Sequence, residues 1–147
     1  MRNTKVLNKM KILGLLLLIT TGCLRLSAAN LPDFVVTDIL RDKDSFICIK
    51  IQNLSPVDTD LSLITPETKE KIFLTIFINN TKRSEYKLKY MDMKLFKQRG
   101  SILFRTNFRL QQGPELRVKA HINPQNIIQE INSINNTFEK KMSPDKK

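Results

Sequence analysis

The sequence predicts an all-β protein: an antiparallel β-sandwich of about seven strands behind a cleaved signal segment. Three observations carry this reading. Apolar residues recur with a period of two along several runs, so each run offers one apolar and one mostly polar face. Clusters of Asn, Asp, Gly and Pro punctuate the runs at turn-like spacing. A sheet with one apolar face must bury it, and two such faces about 10 Å apart make a common core. Seven or so strands of this kind fit an immunoglobulin-like sandwich. The 147 residues, 41% hydrophobic and 27% charged, allow one domain plus an appendage and exclude a wholly disordered chain or a multi-span membrane protein. One His, two Cys and no Trp argue against zinc sites, haem attachment and a disulfide framework.

Residues 1–22 read as a lipoprotein-type signal peptide. Arg2, Lys5, Lys9 and Lys11 precede an apolar run from Ile12 to Ile19, the anatomy of a secretory leader. A membrane span needs about 20 apolar residues, and Arg25 interrupts too early for one. Two cleavage sites compete. Ile19-Thr20-Thr21-Gly22-Cys23 resembles a relaxed bacterial lipobox, in which Cys23 is acylated and becomes the first residue. Ser27-Ala28-Ala29 is a small-x-small site that releases a soluble chain from Asn30. The lipobox fits better, because its cut directly follows the apolar run. Removing 22 of the 147 residues leaves 125. The leader takes four of the 25 cations, so the net charge falls from +11 to 21 against 14, or +7. Lipid on Cys23 makes the membrane a partner, since each buried methylene contributes about 0.8 kcal/mol.

Residues 23–31 are then a membrane-proximal linker, 32–142 the sandwich and 143–147 a flexible tail. Ile47, Ile49 and Ile51 alternate with Cys48 and Lys50, and Ile72, Leu74, Ile76 and Ile78 with Phe73, Thr75 and Phe77. Tyr86, Leu88 and Tyr90 alternate with Lys87 and Lys89. Ile102, Phe104 and Phe108 alternate with Leu103, Arg105 and Arg109, and Leu116, Val118, Ala120 and Ile122 with Arg117, Lys119 and His121. Turns are expected at Asp42-Lys43-Asp44, Asn79-Asn80, Gln98-Arg99-Gly100, Gln112-Gly113-Pro114 and Asn123-Pro124. In the long gap from Asn53 to Lys71, Thr65-Pro66-Glu67 suits a capped helical turn with Pro at its first position. Phe73 and Phe77 have outward parity. They belong to the core if that strand is covered on both sides, and otherwise form an apolar contact patch.

The last third carries a family pattern. Val118 to Pro124 leads into Asn126-Ile127-Ile128-Gln129-Glu130, then Asn132-Ser133-Ile134-Asn135-Asn136-Thr137. This resembles the C-terminal signature of CARDB domains, bacterial modules described as cell-adhesion related. Pro32 to Ile39, Ile49 to Asn53, Phe77 to Asn80 and Gln98 to Ser101 resemble the family's earlier strands and turns. The similarity spans about residues 31–142. It implies an immunoglobulin-like fold, an envelope or extracellular location, and binding or adhesion without catalysis or cofactor. The candidate signature loop is Asn126, Glu130, Asn132, Asn135 and Asn136. Asn123 and Ser133 stand where the family usually has Asp and Glu, so both carboxylates are missing here for any calcium-binding role. Read from the residues alone, Asn135-Asn136 suits a tight turn or left-handed backbone. Glu130 can accept from turn amides, and the loop is chiefly structural.

No catalytic or metal site is expected. His121 has the outward parity of Arg117 and Lys119 and has no second imidazole beside it. Cys48 reads as a partly covered small hydrophobe or an intermolecular disulfide. A thiol enzyme using Cys48 with His121 requires both on one face of adjoining strands and a third orienting group. There is no phosphate-cradling motif. The basic residues, densest from Lys82 to Arg99, either blunt strand edges or attract an anionic glycan, lipid headgroups or an acidic envelope or host protein. Nucleic acid is not an expected partner of an exported chain without a reader motif.

Overall fold

The computed structural model describes residues 30–111 and 113–143. The signal segment with Cys23, the linker up to Ala29 and residues 144–147 of the expected tail lie outside them. The strands are β1 (Phe34–Arg41), β2 (Phe46–Asn53), β3 (Ile72–Ile78), β4 (Thr81–Lys87), β5 (Ser101–Arg109), β6 (Leu116–Ile122) and β7 (Thr137–Met142). They form two antiparallel sheets, β1-β2-β5 and β4-β3-β6-β7. One short helix, α1 (Pro66–Lys69), lies in the β2–β3 connection, with 3-10 turns at Leu61–Leu63, Leu88–Tyr90 and Met93–Phe96. No helix among the described residues is long and apolar enough to cross a membrane.

The alternating apolar residues meet between the sheets. Ile47, Ile49 and Ile51 face Leu74, Ile76, Val118, Ala120 and Ile122 in one core, each such aliphatic contributing roughly 1.5–3 kcal/mol on burial, small Ala120 less. An aromatic knot closes one end: Phe34 meets Phe73 and Phe96 edge-on, at 5.2 and 5.5 Å between ring centres. Both flanks of the sandwich are stitched. On one, the Tyr86 ring of β4 stands edge-on to Phe104 of β5 at 4.9 Å, and its hydroxyl accepts the Asn107 amide at 2.9 Å. On the other, Lys140 of β7 pairs with Asp38 of β1 at 2.8 Å.

Turn chemistry explains the connections. Asn79 and Asn80 both take positive φ, 48° and 64°, the conformation of a primed two-residue hairpin whose twist matches its strands. Asp42 accepts from the amides of Asp44 and Phe46 while Ser45 turns left-handed. Thr65 Oγ1 caps α1 by accepting the Thr68 amide at 3.1 Å, with Pro66 at the first helical position. At Gly100 the chain passes so close to the Lys94 carbonyl that a Cβ would lie 2.0 Å from it.

One reading left open by the sequence is decided and one expectation changes. Of its two possible places Phe73 takes the core: the β3 register shifts between Ile72 and Leu74 and both Phe73 and Leu74 are fully buried. Phe77 is half-covered, with Lys119 Nζ 4.6 Å from its ring centre, so the two rings form no joint patch. The Tyr86–Tyr90 alternation also stops early. β4 ends at Lys87, and the 3-10 turn buries Leu88 and leaves Tyr90 exposed.

Candidate functional site

The signature loop lies at the end of the sandwich where β1 begins. Glu130 is its centre. One carboxylate oxygen accepts the Phe34 amide at 2.8 Å; the other accepts the side-chain amides of Asn123, at 2.5 Å, and Asn136, at 2.7 Å. Burial pushes the Glu130 carboxyl above its ordinary 4.5; the three donors pull the other way without offsetting it. Asn123 also donates to the Ile128 carbonyl at 2.7 Å, and Asn135 to Asp33 at 2.9 Å. Asn132 accepts the Ile134 amide. The side chain of Asn126 stays exposed.

Of the tight turn or left-handed backbone expected at Asn135-Asn136, the chain turns at Ile134-Asn135, while the left-handed residues of this region are Asn123 and Asn126, both at φ 48°. The amide side chains of Asn135 and Asn136 are the parts engaged, on Asp33 and Glu130. Asn53, at the end of β2, is a second hub that the sequence reading passed over. Its carbonyl oxygen accepts the amides of Asp33 and Ser55, and its NH2 reaches Thr59 and the Lys97 carbonyl. A strand ending in Asn ahead of a long connection was the available signal. Both carboxylate oxygens of Glu130 are taken by donors from this chain, an arrangement that holds β1, β6 and the C-terminal loop together. Among the described residues, no three of His, Cys, Asp and Glu gather into a possible metal-holding group.

Cys48 and His121 occupy different sheets, on opposite outer faces of the sandwich. The Cys48 thiol is buried, donates weakly to the Phe46 carbonyl, and is pushed upward by burial and then by Asp42. Burial, then Lys119, push the His121 imidazole downward. The two share no contact with which to move a proton.

Part of the basic charge is held in ion pairs. Glu70 takes Lys87 and Lys89, Asp58 takes Lys97, and Asp42 and Asp44 take Arg105. At the end opposite the signature loop, an open cavity of about 390 Å³ lies between the sheets, over Ile78, Phe108 and Leu116 and beside Arg83 and Arg109. In the sequence, Arg109 stands out only as a polar residue alternating with Phe108, and Arg83 only as part of the basic stretch from Lys82 to Arg99.

No protein-family model matches the chain, and no curated protein matches it. Solved structures do. The crystal structure of the CARDB domain of the PF1109 protein from Pyrococcus furiosus superposes with a TM-score of 0.54 at 17% identity, over 78% of this chain and 94% of that one. This chain has the fold of a CARDB domain. The solution structure of the same Pyrococcus furiosus domain agrees, with a TM-score of 0.50 at 15% identity, covering 78% of this chain and 95% of that one. The archaeal crystal structure is described as a complex with di-metal ions. In the present CARDB-like fold the signature segment supplies the loop around Glu130, and its asparagines tie that loop to the start of β1.

Proposed function

We propose that this protein is a bacterial lipoprotein, acylated at Cys23 and held to a cell-envelope membrane, that presents one non-catalytic CARDB-like sandwich for binding or adhesion. The observation that carries the reading is the position of the chain's entry. The Asn30 carbonyl accepts the Asp60 amide at 3.3 Å and the Pro32 carbonyl accepts the Ile131 amide of the signature loop at 2.9 Å, so a chain coming from Cys23 enters at the end of the sandwich where β1 begins. An anchored domain then turns its opposite end, with the open cavity, away from the lipid surface. Lipid on Cys23 supplies the membrane affinity, and the surface is left for an envelope or host protein or an anionic glycan. The separation of Cys48 from His121 supports a role without catalysis. Outer-membrane or surface location is part of this reading.

The Ser27-Ala28-Ala29 site favours a second reading, a soluble periplasmic or secreted subunit starting at Asn30. The mass of the N-terminal peptide from protein extracted from its native membrane decides between them. An acylated Cys23 at the N-terminus is expected, with Cys23→Ala releasing the protein from the membrane fraction. An unmodified Asn30 terminus overturns the anchor.

A further inference from the structure

We propose that the cavity at the end of the sandwich opposite the signature loop binds an acidic sugar, a pyranose bearing a carboxylate, presented by a glycan. The proposal deepens the binding reading above and rests on it. Arg83 comes from β4 and Arg109 from β5, so each sheet contributes one arginine to the lining of the same cavity. No carboxylate among the described residues lines it. The described acids near this end are already engaged: Asp42 and Asp44 with Arg105, Glu85 with Lys82, Glu115 with Lys141, and Glu139 with Arg117. Neither Arg83 nor Arg109 has an ion-pair partner among the described residues. Two arginines of fixed charge without an ion-pair partner among the described residues are suited to a carboxylate, which a guanidinium can grip through two parallel hydrogen bonds.

The rest of the cavity selects more than charge. Ile78 (4% exposed), Phe108 and Leu116 give an apolar floor, on which the C–H face of a sugar ring can lie while its hydroxyls stay at the rim. Asn79 stands at that rim. Its carbonyl oxygen is held by the Arg117 amide at 3.0 Å, so its NH2 remains to donate to a ring hydroxyl. Its left-handed backbone, φ 48°, fixes where that amide points. A volume of about 390 Å³ suits one or two sugar units, at the small end of ligand pockets. A bare inorganic anion would leave the apolar floor without a partner.

The test uses the full chain in neutral detergent, with tetragalacturonate as probe, its methyl ester as the uncharged counterpart, and inorganic sulfate as a simple anion. Amide NMR shifts and calorimetry are read at low and at physiological salt. Expected are saturable shifts at Asn79, Arg83, Arg109 and Leu116, binding that weakens with salt, and no comparable binding of the ester. Arg83→Gln and Arg109→Gln should each weaken binding by about tenfold or more, with unchanged circular dichroism and melting. Lys50→Gln, on the outer face of β2, should leave it unaltered. Absence of saturable binding overturns the proposal, as does binding that survives the double variant or maps elsewhere. Sulfate binding as tightly as the sugar acid overturns the sugar assignment. These outcomes are independent of the anchor, which the N-terminal peptide mass decides separately.

Discussion

At Glu130, three N–H donors from three parts of the chain converge on one carboxylate, and the fold closes around that convergence. A buried donor that loses its acceptor costs about 1–3 kcal/mol. In Glu130→Gln the NH2 must face one of the three donors, so a loss of that order is expected in urea unfolding at neutral pH. The pH dependence has a definite sign. The carboxyl titrates above its ordinary value in the folded protein, so folding binds a proton. This group's contribution to stability is therefore fully present below about pH 4.5 and is lost as pH rises through the elevated folded value. The advantage of the native protein over Glu130→Gln should be greatest in acid and shrink towards neutrality. An advantage that grows with pH across that window would contradict the burial account. Cys48 offers a second check at this scale. With its thiol buried, it should resist a water-soluble thiol reagent in a Cys23→Ala chain until the protein unfolds.

The β3–β4 hairpin shows what an element demands of two residues. Asn79 and Asn80 both occupy left-handed backbone, which a β-branched side chain adopts at a cost of about 1–2 kcal/mol. Asn80→Val should lower the melting temperature by several degrees, whereas Asn80→Gly should hold or raise it; equal melting of the two would exclude the turn assignment. This hairpin was legible in the sequence because turn chemistry is local. So were the alternating runs, since Ile47 through Ile51 report a face directly. Phe73 was legible only as a choice between core and surface, because parity assumes an unbroken ladder and the register shifts next to Ile72. Leu88 and Tyr90 misled for a related reason: a 3-10 turn also spaces side chains so that one is buried and another exposed. In the signature segment the residue types were legible but their pairings were not. Glu130 reaches Phe34 across 96 positions, and Arg83 and Arg109 line one opening only because β4 and β5 flank it. No local pattern encodes either meeting.

As a whole molecule, the domain is a single core shared by two sheets and closed along both flanks by Tyr86 with Phe104 and by Lys140 with Asp38. A shared core of this size predicts all-or-none unfolding. Thiol exposure at Cys48 in one sheet and loss of circular dichroism from both sheets should share one denaturant midpoint; separated midpoints would mean that the sheets come apart in stages. The fold also fixes how a load passes through it. β1 starts at the signature-loop end, where Phe34 meets Phe73, and β7 finishes at the other, where Met142 lies opposite Leu116. Tension applied between Phe34 and Met142 runs along both strands. The ladder hydrogen bonds of β1 with β2 and of β7 with β6 lie across that direction, so they are sheared together and not unzipped one by one. A tether pulled at one end while a partner holds the other would meet its greatest mechanical resistance along this axis.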